Sequence, residues 1–374
     1  MSVYDRLVGQ EHVVATLRRA REGDMTHAWL FTGPPGSGRS NAAIAFAAAL
    51  QCEYDGCGEC HSCRTALKGS HEDITVMRTE KLSIGVEDVR EIVRRAALSP
   101  VGRRYQVFVV EDADRLTEQA ANALLKAIEE PTDRTVWLLC APTVEDVLPT
   151  IRSRTRLVVL ATPLADDIAA FLTATAGVAA ERAAYSARAS QGHIGRARAL
   201  ATDDETYERR RSITDIPSRI TGLGSCLEQA ERLHTLAKEE ADAIGVGVDE
   251  REKESLDAAY GVVDRGRRPR EYAPALRDLE KAQKTRAKRR VLDVVDRGLM
   301  DLASVYRDAI AVQVGAPGAL VNEGQRTQVE ALARDSTPEQ NLVRIDAIFE
   351  AREQMLEFNV AALTALESLM VALR

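Results

Sequence analysis

Aromatic residues are scarce in this chain, at 4% of 374 residues, and no stretch of apolar residues is long enough to cross a bilayer. No apolar segment follows Met1. Together these point to a soluble, cytoplasmic protein rather than a secreted or membrane-spanning one. A positive charge balance is also missing. The formal net charge of -7 argues against a protein that coats nucleic acid through its overall charge. There is no internal repeat and no low-complexity tract. What is abundant is Ala, Leu, Val, Arg and Glu, the composition of a helix-rich chain with a modest parallel sheet. The length exceeds one ordinary core and suggests two or three domains.

Cysteine is sparse but unevenly placed. Four of six fall together as Cys52, Cys57, Cys60 and Cys63, spaced C-x4-C-x2-C-x2-C. Short thiolate spacings of this kind bring four soft ligands around one tetrahedral ion, and zinc is the usual occupant in a reducing compartment. An iron–sulfur cluster is the competing occupant, although nothing else in the chain suggests redox chemistry. His61 lies inside the cluster and could replace one thiolate, yet four cysteines already satisfy the metal. Cys140 and Cys226 stand apart and read as buried thiols.

The most informative motif is Gly33-Pro34-Pro35-Gly36-Ser37-Gly38-Arg39-Ser40. A phosphate-binding loop asks for Gly, four residues, Gly, Lys, then Ser or Thr. Its backbone N–H groups cradle phosphates, the lysine reaches the β- and γ-phosphates and the hydroxyl holds Mg²⁺. Every element is present except the lysine, replaced by Arg39, which is a broad planar fork where a compact charge is needed. The preceding run His27–Thr32 reads as a buried strand and Asn41–Leu50 as a helix, so the strand–loop–helix context is intact.

Further apolar runs of strand length are Asp73–Met77, Val107–Val110, Val136–Cys140 and Arg156–Leu160, read as parallel strands buried on both faces. Helical patterns separate them. One places Val86, Val89, Ile92 and Val93 on a single face, and another does the same with Ala121, Leu124, Leu125 and Ile128 before Pro131. Alternation of strand and helix predicts a doubly wound α/β domain up to about Leu160. The strand signal then vanishes: Pro163 to about Asp204 reads as a small helical lid with a turn at Gln191–Gly195, and the chain beyond Tyr207 reads as helical. A charged stretch from Lys238 to Gly266 reads as broken by Gly245 and Gly247. The basic run Lys281–Arg290 reads as a solvated helix face in preference to a DNA contact.

The segment Val107–Leu116, with Glu111-Asp112 at its strand end, and the following Ala121-Asn122-Ala123-Leu124-Leu125-Lys126-Ala127-Ile128-Glu129-Glu130-Pro131 closely resemble bacterial clamp-loader subunits of the AAA+ class. So do Thr150-Ile151-Arg152-Ser153-Arg154, similar to that family's Ser-Arg-Cys motif with Thr155 for cysteine, the early Val8-Gly9-Gln10, and the four-cysteine loop after the phosphate-loop helix. The likeness covers roughly the first two hundred residues. It implies an α/β AAA+ P-loop parallel-sheet domain over 1–160 with an inserted zinc module at 52–63, a helical lid over 161–206, and an all-α collar over 207–374 that joins a pentamer. It further implies a place in the DNA polymerase III holoenzyme beside gamma/tau and delta subunits, loading the sliding clamp onto primed DNA.

The family holds ATPase subunits, called gamma or tau, and a related delta-prime kind that does not hydrolyse ATP. Four places discriminate. Arg39 should misplace the γ-phosphate that a lysine would pair with. The strand end should read Asp-Glu but reads Glu111-Asp112, and a carboxylate moved by about an ångström can cost roughly a hundredfold in rate. The polar sensor after the fourth strand falls at Ala141-Pro142, with Thr143 as a substitute, and the lid arginine falls on Gly195, beside Arg196. The surviving frame of Gly33, Gly36, Gly38 and Ser40 leaves room for ATP or ADP to bind without turnover. Arg154 is unaltered, and the resemblance makes it an arginine finger that completes a neighbour's active site, a surface salt bridge being the plain alternative. The expectation is a non-hydrolysing clamp-loader subunit of the delta-prime kind. An active gamma/tau-type ATPase is the first rival. A zinc-bearing DNA-binding regulator is the second, with only Arg64 and Lys68 as cations near the cysteines.

Overall fold

A computed structural model describes residues 2–79, 83–102, 104–262 and 269–374. Two compact units divide the chain, Met1–Thr202 and Asp203–Arg374. The first is built on five parallel strands: β1 (Ala28–Thr32), β2 (Ile74–Met77), β3 (Gln106–Val110), β4 (Thr135–Ala141) and β5 (Arg156–Val159), in the order β2-β3-β4-β1-β5. The apolar runs become strands because successive residues feed two separate cores. Trp29, Phe31, Val107, Val109 and Leu138 pack on one face with α1 (Glu11–Glu22) and α2 (Arg39–Gln51). Leu30, Phe108, Val110, Trp137 and Leu139 pack on the other with residues of the later helices α4 (Val86–Ala96), α5 (Glu118–Glu129) and α6 (Pro149–Arg152). The remaining helix, α3 (His61–Leu67), follows α2, carries Cys63 and packs on the first of these faces. The doubly wound α/β architecture read from alternation is therefore the one observed.

The two edge strands depart from the expected burial: in β2 only Ile74 is buried, and β5 is more open still. β5 is an edge strand paired only with β1, and Leu157 and Val159 are 45% and 53% exposed while Val158 is buried. Its alternation is that of a strand with one open face, not of a strand covered on both. Three helices complete the unit: α7 (Ala165–Ala176), α8 (Ala180–Ser190) and α9 (Ile194–Thr202).

The second unit is all helical among its described residues. It comprises α10 (Asp204–Thr214), α11 (Ile216–Arg219), α12 (Leu223–Ala259), α13 (Tyr272–Gln313), α14 (Arg326–Asp335), α15 (Pro338–Leu356) and α16 (Ala362–Ala372). Gly245 and Gly247 do not break the charged stretch, contrary to expectation: α12 runs through both. A glycine costs roughly 1 kcal/mol in a helix interior, too little to stop one that packs along a second long helix. The Arg290 guanidinium passes close over Gly245, where an added Cβ would lie 1.9 Å from its Nη1 and the arginine tip would have to move aside. Residues 263–266 of the stretch lie outside the described residues. No described helix is long and apolar enough to cross a membrane.

This unit also buries a polar network. Nε of Arg210 donates to Asp301 at 2.9 Å and its Nη2 donates to Asn322 at 2.7 Å, while Asn322 donates to Asp308 and Ser304. The Arg210 and Asp301 side chains are 2% and 4% exposed. Removing one partner of such a pair strands a buried charge, at a cost of roughly 3–5 kcal/mol. Asp301→Ala is therefore expected to lower unfolding free energy by about that amount in urea titrations. Arg210→Met with Asp301→Leu should recover much of the loss, and a loss below about 1 kcal/mol for the single variant would show the pair to be dispensable.

Candidate functional site

The phosphate-type loop leaves the carboxyl end of β1 and runs into α2, with Gly38 as its N-cap in the left-handed region. Gly33 N–H donates to the Pro142 carbonyl at 3.1 Å, tying the loop to the end of β4. Carboxyl ends of strands are where open parallel sheets bind ligands. Four predicted residues converge here. Arg39 and Ser40 of α2 and the Glu111-Asp112 pair that follows β3 all act on the Cys140 thiol at the end of β4, which burial, above all, pushes up.

Two of these side chains are engaged by other groups of the protein. Nη1 of Arg39 donates back to the Gly33 carbonyl at 3.0 Å, so the guanidinium is bonded to its own loop. Glu111 is gripped by both nitrogens of an Arg78 fork, at 2.5 and 2.8 Å, with its side chain only 9% exposed. A carboxylate neutralised by a bidentate arginine is a poor ligand for Mg²⁺. Burial pushes the Asp114 carboxyl up, with the Asp112 charge adding to it. Ser37 is buried, and its Oγ has no hydrogen-bond partner among the described residues.

The turn between α8 and α9 reaches the loop. Gly36 has φ +83°, and a Cβ there would lie 2.2 Å from Cγ of His193. Ile194 N–H donates to the Gly36 carbonyl at 3.3 Å. Gly195 carries no side chain to meet a phosphate, and Arg196 donates its backbone N–H to Nδ1 of His193 at 3.2 Å. Sequence reasoning took residues 191–195 for a turn and missed His193; the only local signal was a ring-bearing residue between two glycines. It also missed Arg78, which lies 33 positions before Glu111. Gln10 is fully buried, with both ends of its amide on the Ala161 backbone at 2.7 and 3.1 Å.

The four cysteines form a second cluster, at the far end of α2. Their sulfurs all lie within 4.8 Å of one another, and Sγ of Cys52 is 3.7 Å from those of both Cys57 and Cys60. A tetrahedron with metal–sulfur bonds of about 2.3 Å has edges of about 3.8 Å, so the set fits zinc. Backbone N–H groups of Cys57, Cys60 and Cys63 each point at the preceding sulfur at 3.4 Å, the outer-shell support thiolates need. Burial opposes ionisation of Cys52, but the N–H groups of Cys57 and Tyr54 outweigh it and bring the thiol to about 7. His61 is exposed at the start of α3 and outside the four-sulfur group. The module is held from below by Arg21, whose Nη2 donates to the Cys52 carbonyl at 2.8 Å, and by Arg104 on the same oxygen at 3.1 Å.

Arg154 lies apart from both clusters. It follows α6 and precedes the edge strand β5. Its Nε meets Glu129 at 2.6 Å and its Nη1 donates to the Thr150 carbonyl at 3.0 Å, with the side chain 41% exposed. This is a surface ion pair of small net worth, and it holds the guanidinium at the protein surface.

Residues 9–163 match the family model for "DNA polymerase III, delta subunit". Mycobacterium tuberculosis DNA polymerase III subunit gamma/tau is 40% identical over 158 residues, 41% of this chain and 27% of that protein. Yersinia pestis DNA polymerase III subunit delta' is 38% identical over 157 residues, 40% of this chain and 44% of that protein. A Thermotoga maritima DNA polymerase III gamma subunit-related protein aligns with 76% of this chain at 17% identity and a TM-score of 0.38. The chain thus spans less than half the length of the curated relatives it matches. Over residues 9–163 the chain is thus similar to the DNA polymerase III delta-subunit family, with gamma/tau and delta-prime subunits both among the proteins it resembles.

Proposed function

We propose that the chain is a non-hydrolysing, delta-prime-like subunit of the cytoplasmic DNA polymerase III clamp loader. In this reading residues 1–160 form the AAA+ domain, 161–206 the lid and 207–374 the collar of a hetero-oligomer with gamma/tau and delta subunits. The assembly loads the sliding clamp onto primed DNA. The observation that carries the reading is the state of the pocket. Arg39 is bonded to its own loop through Gly33, and Glu111 is locked to Arg78. The groups that would bind γ-phosphate and Mg²⁺ are thus engaged elsewhere. The glycine frame and the unpartnered Ser37 hydroxyl support ATP or ADP being held there without turnover. Arg154, exposed and outside this pocket, would serve a neighbouring ATPase subunit as an arginine finger. Zinc at Cys52, Cys57, Cys60 and Cys63 would be structural.

An active gamma/tau-type ATPase is the second reading, favoured by the 40% identity to a gamma/tau subunit. Phosphate release by the purified chain separates the two. No turnover is expected, and Arg39→Lys alone should not restore it, because Glu111 stays paired and Gly195 still lacks a cation. Steady release at about 1 s⁻¹, the scale of ordinary enzymes, would overturn the proposal.

A further inference from the structure

The basic run on α13 is two faces, not one. Gln283, Arg286 and Arg290 turn toward α12: Gln283 donates to the Asp249 carbonyl at 3.0 Å, Arg290 meets the Asp249 carboxylate at 3.1 Å, and Arg286 binds Glu252. Arg277, Lys281, Lys284 and Lys288 stand on the opposite side, separated by four, three and four residues, which is one continuous helix stripe. All four are exposed, and none is in an ion pair with Asp278 or Glu280 beside them or with any other described carboxylate. Expecting a solvated face fits this half of the run and not the half stitched to α12. The stripe precedes Val291, the first residue of α13 that packs on the unit's apolar core.

The geometry points to this stripe as a sequence-independent contact for the phosphate backbone of duplex nucleic acid. At 1.5 Å rise per residue the four cations form a straight row about 16 Å long, with steps of about 4.5–6 Å. Each strand of a duplex carries one phosphate per roughly 3.4 Å of axis, so the row faces about five phosphates. Three of the four are lysines, compact charges suited to phosphate without a demand for forked geometry. The stripe itself contains no aromatic, Asn or Gln to read bases. It also has no apolar anchor of the kind a protein interface core requires, which makes an acidic protein the poorer partner. Pairing of Arg286 and Arg290 across to α12 leaves the stripe as the free cationic edge of a chain that is otherwise net negative. The assignment is independent of any nucleotide chemistry at the AAA+ pocket.

Fluorescence anisotropy of a mixed-sequence duplex of about 30 base pairs, titrated with the full chain, tests it. Binding should weaken with a log–log salt slope of about -3 to -4, a loss of roughly 100-fold between 50 and 200 mM NaCl. The variant Arg277→Gln/Lys281→Gln/Lys284→Gln/Lys288→Gln keeps good helix formers at exposed positions. With unchanged far-ultraviolet circular dichroism, it should bind at least about tenfold more weakly and lose most of the slope. Equal binding by wild type and variant would overturn the assignment. Binding of polyglutamate in place of duplex would overturn it too, and would give the stripe to an acidic polypeptide.

Discussion

Arg154→Ala is expected to leave the chain folded and able to join its assembly while lowering the ATP turnover of the assembled clamp loader. The fold should tolerate the change because the side chain is 41% exposed and its main partner, Glu129, is 42% exposed, so an ion pair of little net worth is lost. The functional loss follows from the charge the guanidinium would supply. Where an arginine finger directly stabilises the transferred phosphoryl group it is worth roughly 10³-fold or more. Only one ATP site of the assembly would lack it, so total turnover should fall in part while that one site falls by the full factor. To reach a neighbour the guanidinium must leave Glu129, at small cost. Arg154→Lys should rescue poorly, since lysine cannot reproduce a bidentate fork. Thermal unfolding and assembly by size exclusion check the first half of this expectation, and clamp-stimulated phosphate release checks the second.

Removing the metal should have the largest effect on stability. Zinc bound by four thiolates contributes on the order of 10–16 kcal/mol in small zinc-finger peptides. The module here is anchored as well as ligated. Arg21 and Arg104 both hold the Cys52 carbonyl, and an added Cβ at Gly56 would lie 2.6 Å from Val3, so the N-terminal residues pack directly on the loop. Loss of the ion should therefore free the loop and weaken the packing of the N-terminal segment and α1 beneath it. A net loss of about 5 kcal/mol would lower the unfolding midpoint of a unit of this size by roughly 10–20 °C. Metal analysis should return one zinc per chain. Chelation, or Cys63→Ser, should produce that shift in the first unit. Iron in place of zinc, or a midpoint unmoved by chelation, would contradict the structural role.

What was legible in the sequence was local. The apolar runs of β1, β3 and β4 are covered on both faces, so burial follows from composition alone. Cysteine spacing pointed to the four-thiol cluster because its members lie within one short loop and the first turn of the helix that follows it. What was not legible depends on distant pairing. Arg78 finds Glu111 only because β2 and β3 lie side by side, and His193 finds Gly36 only because the turn between α8 and α9 folds back on the glycine-rich loop. Leu157 and Val159 look like core residues until β5 proves to be an edge. Gly245 looks like a helix breaker until Arg290 passes across it. In each case the deciding neighbour is far away in sequence, where periodicity carries no information.

In the proposed function, catalysis is lost in cis and kept in trans. One comparison addresses it most directly: phosphate release, with primed DNA and clamp, by assemblies carrying this chain as wild type, Ser40→Ala or Arg154→Ala. Ser40 belongs to the chain's own pocket and Arg154 to the surface outside it. Ser40→Ala is expected to match wild type and Arg154→Ala to fall below it. A loss with Ser40→Ala and wild-type turnover with Arg154→Ala would contradict the proposed function.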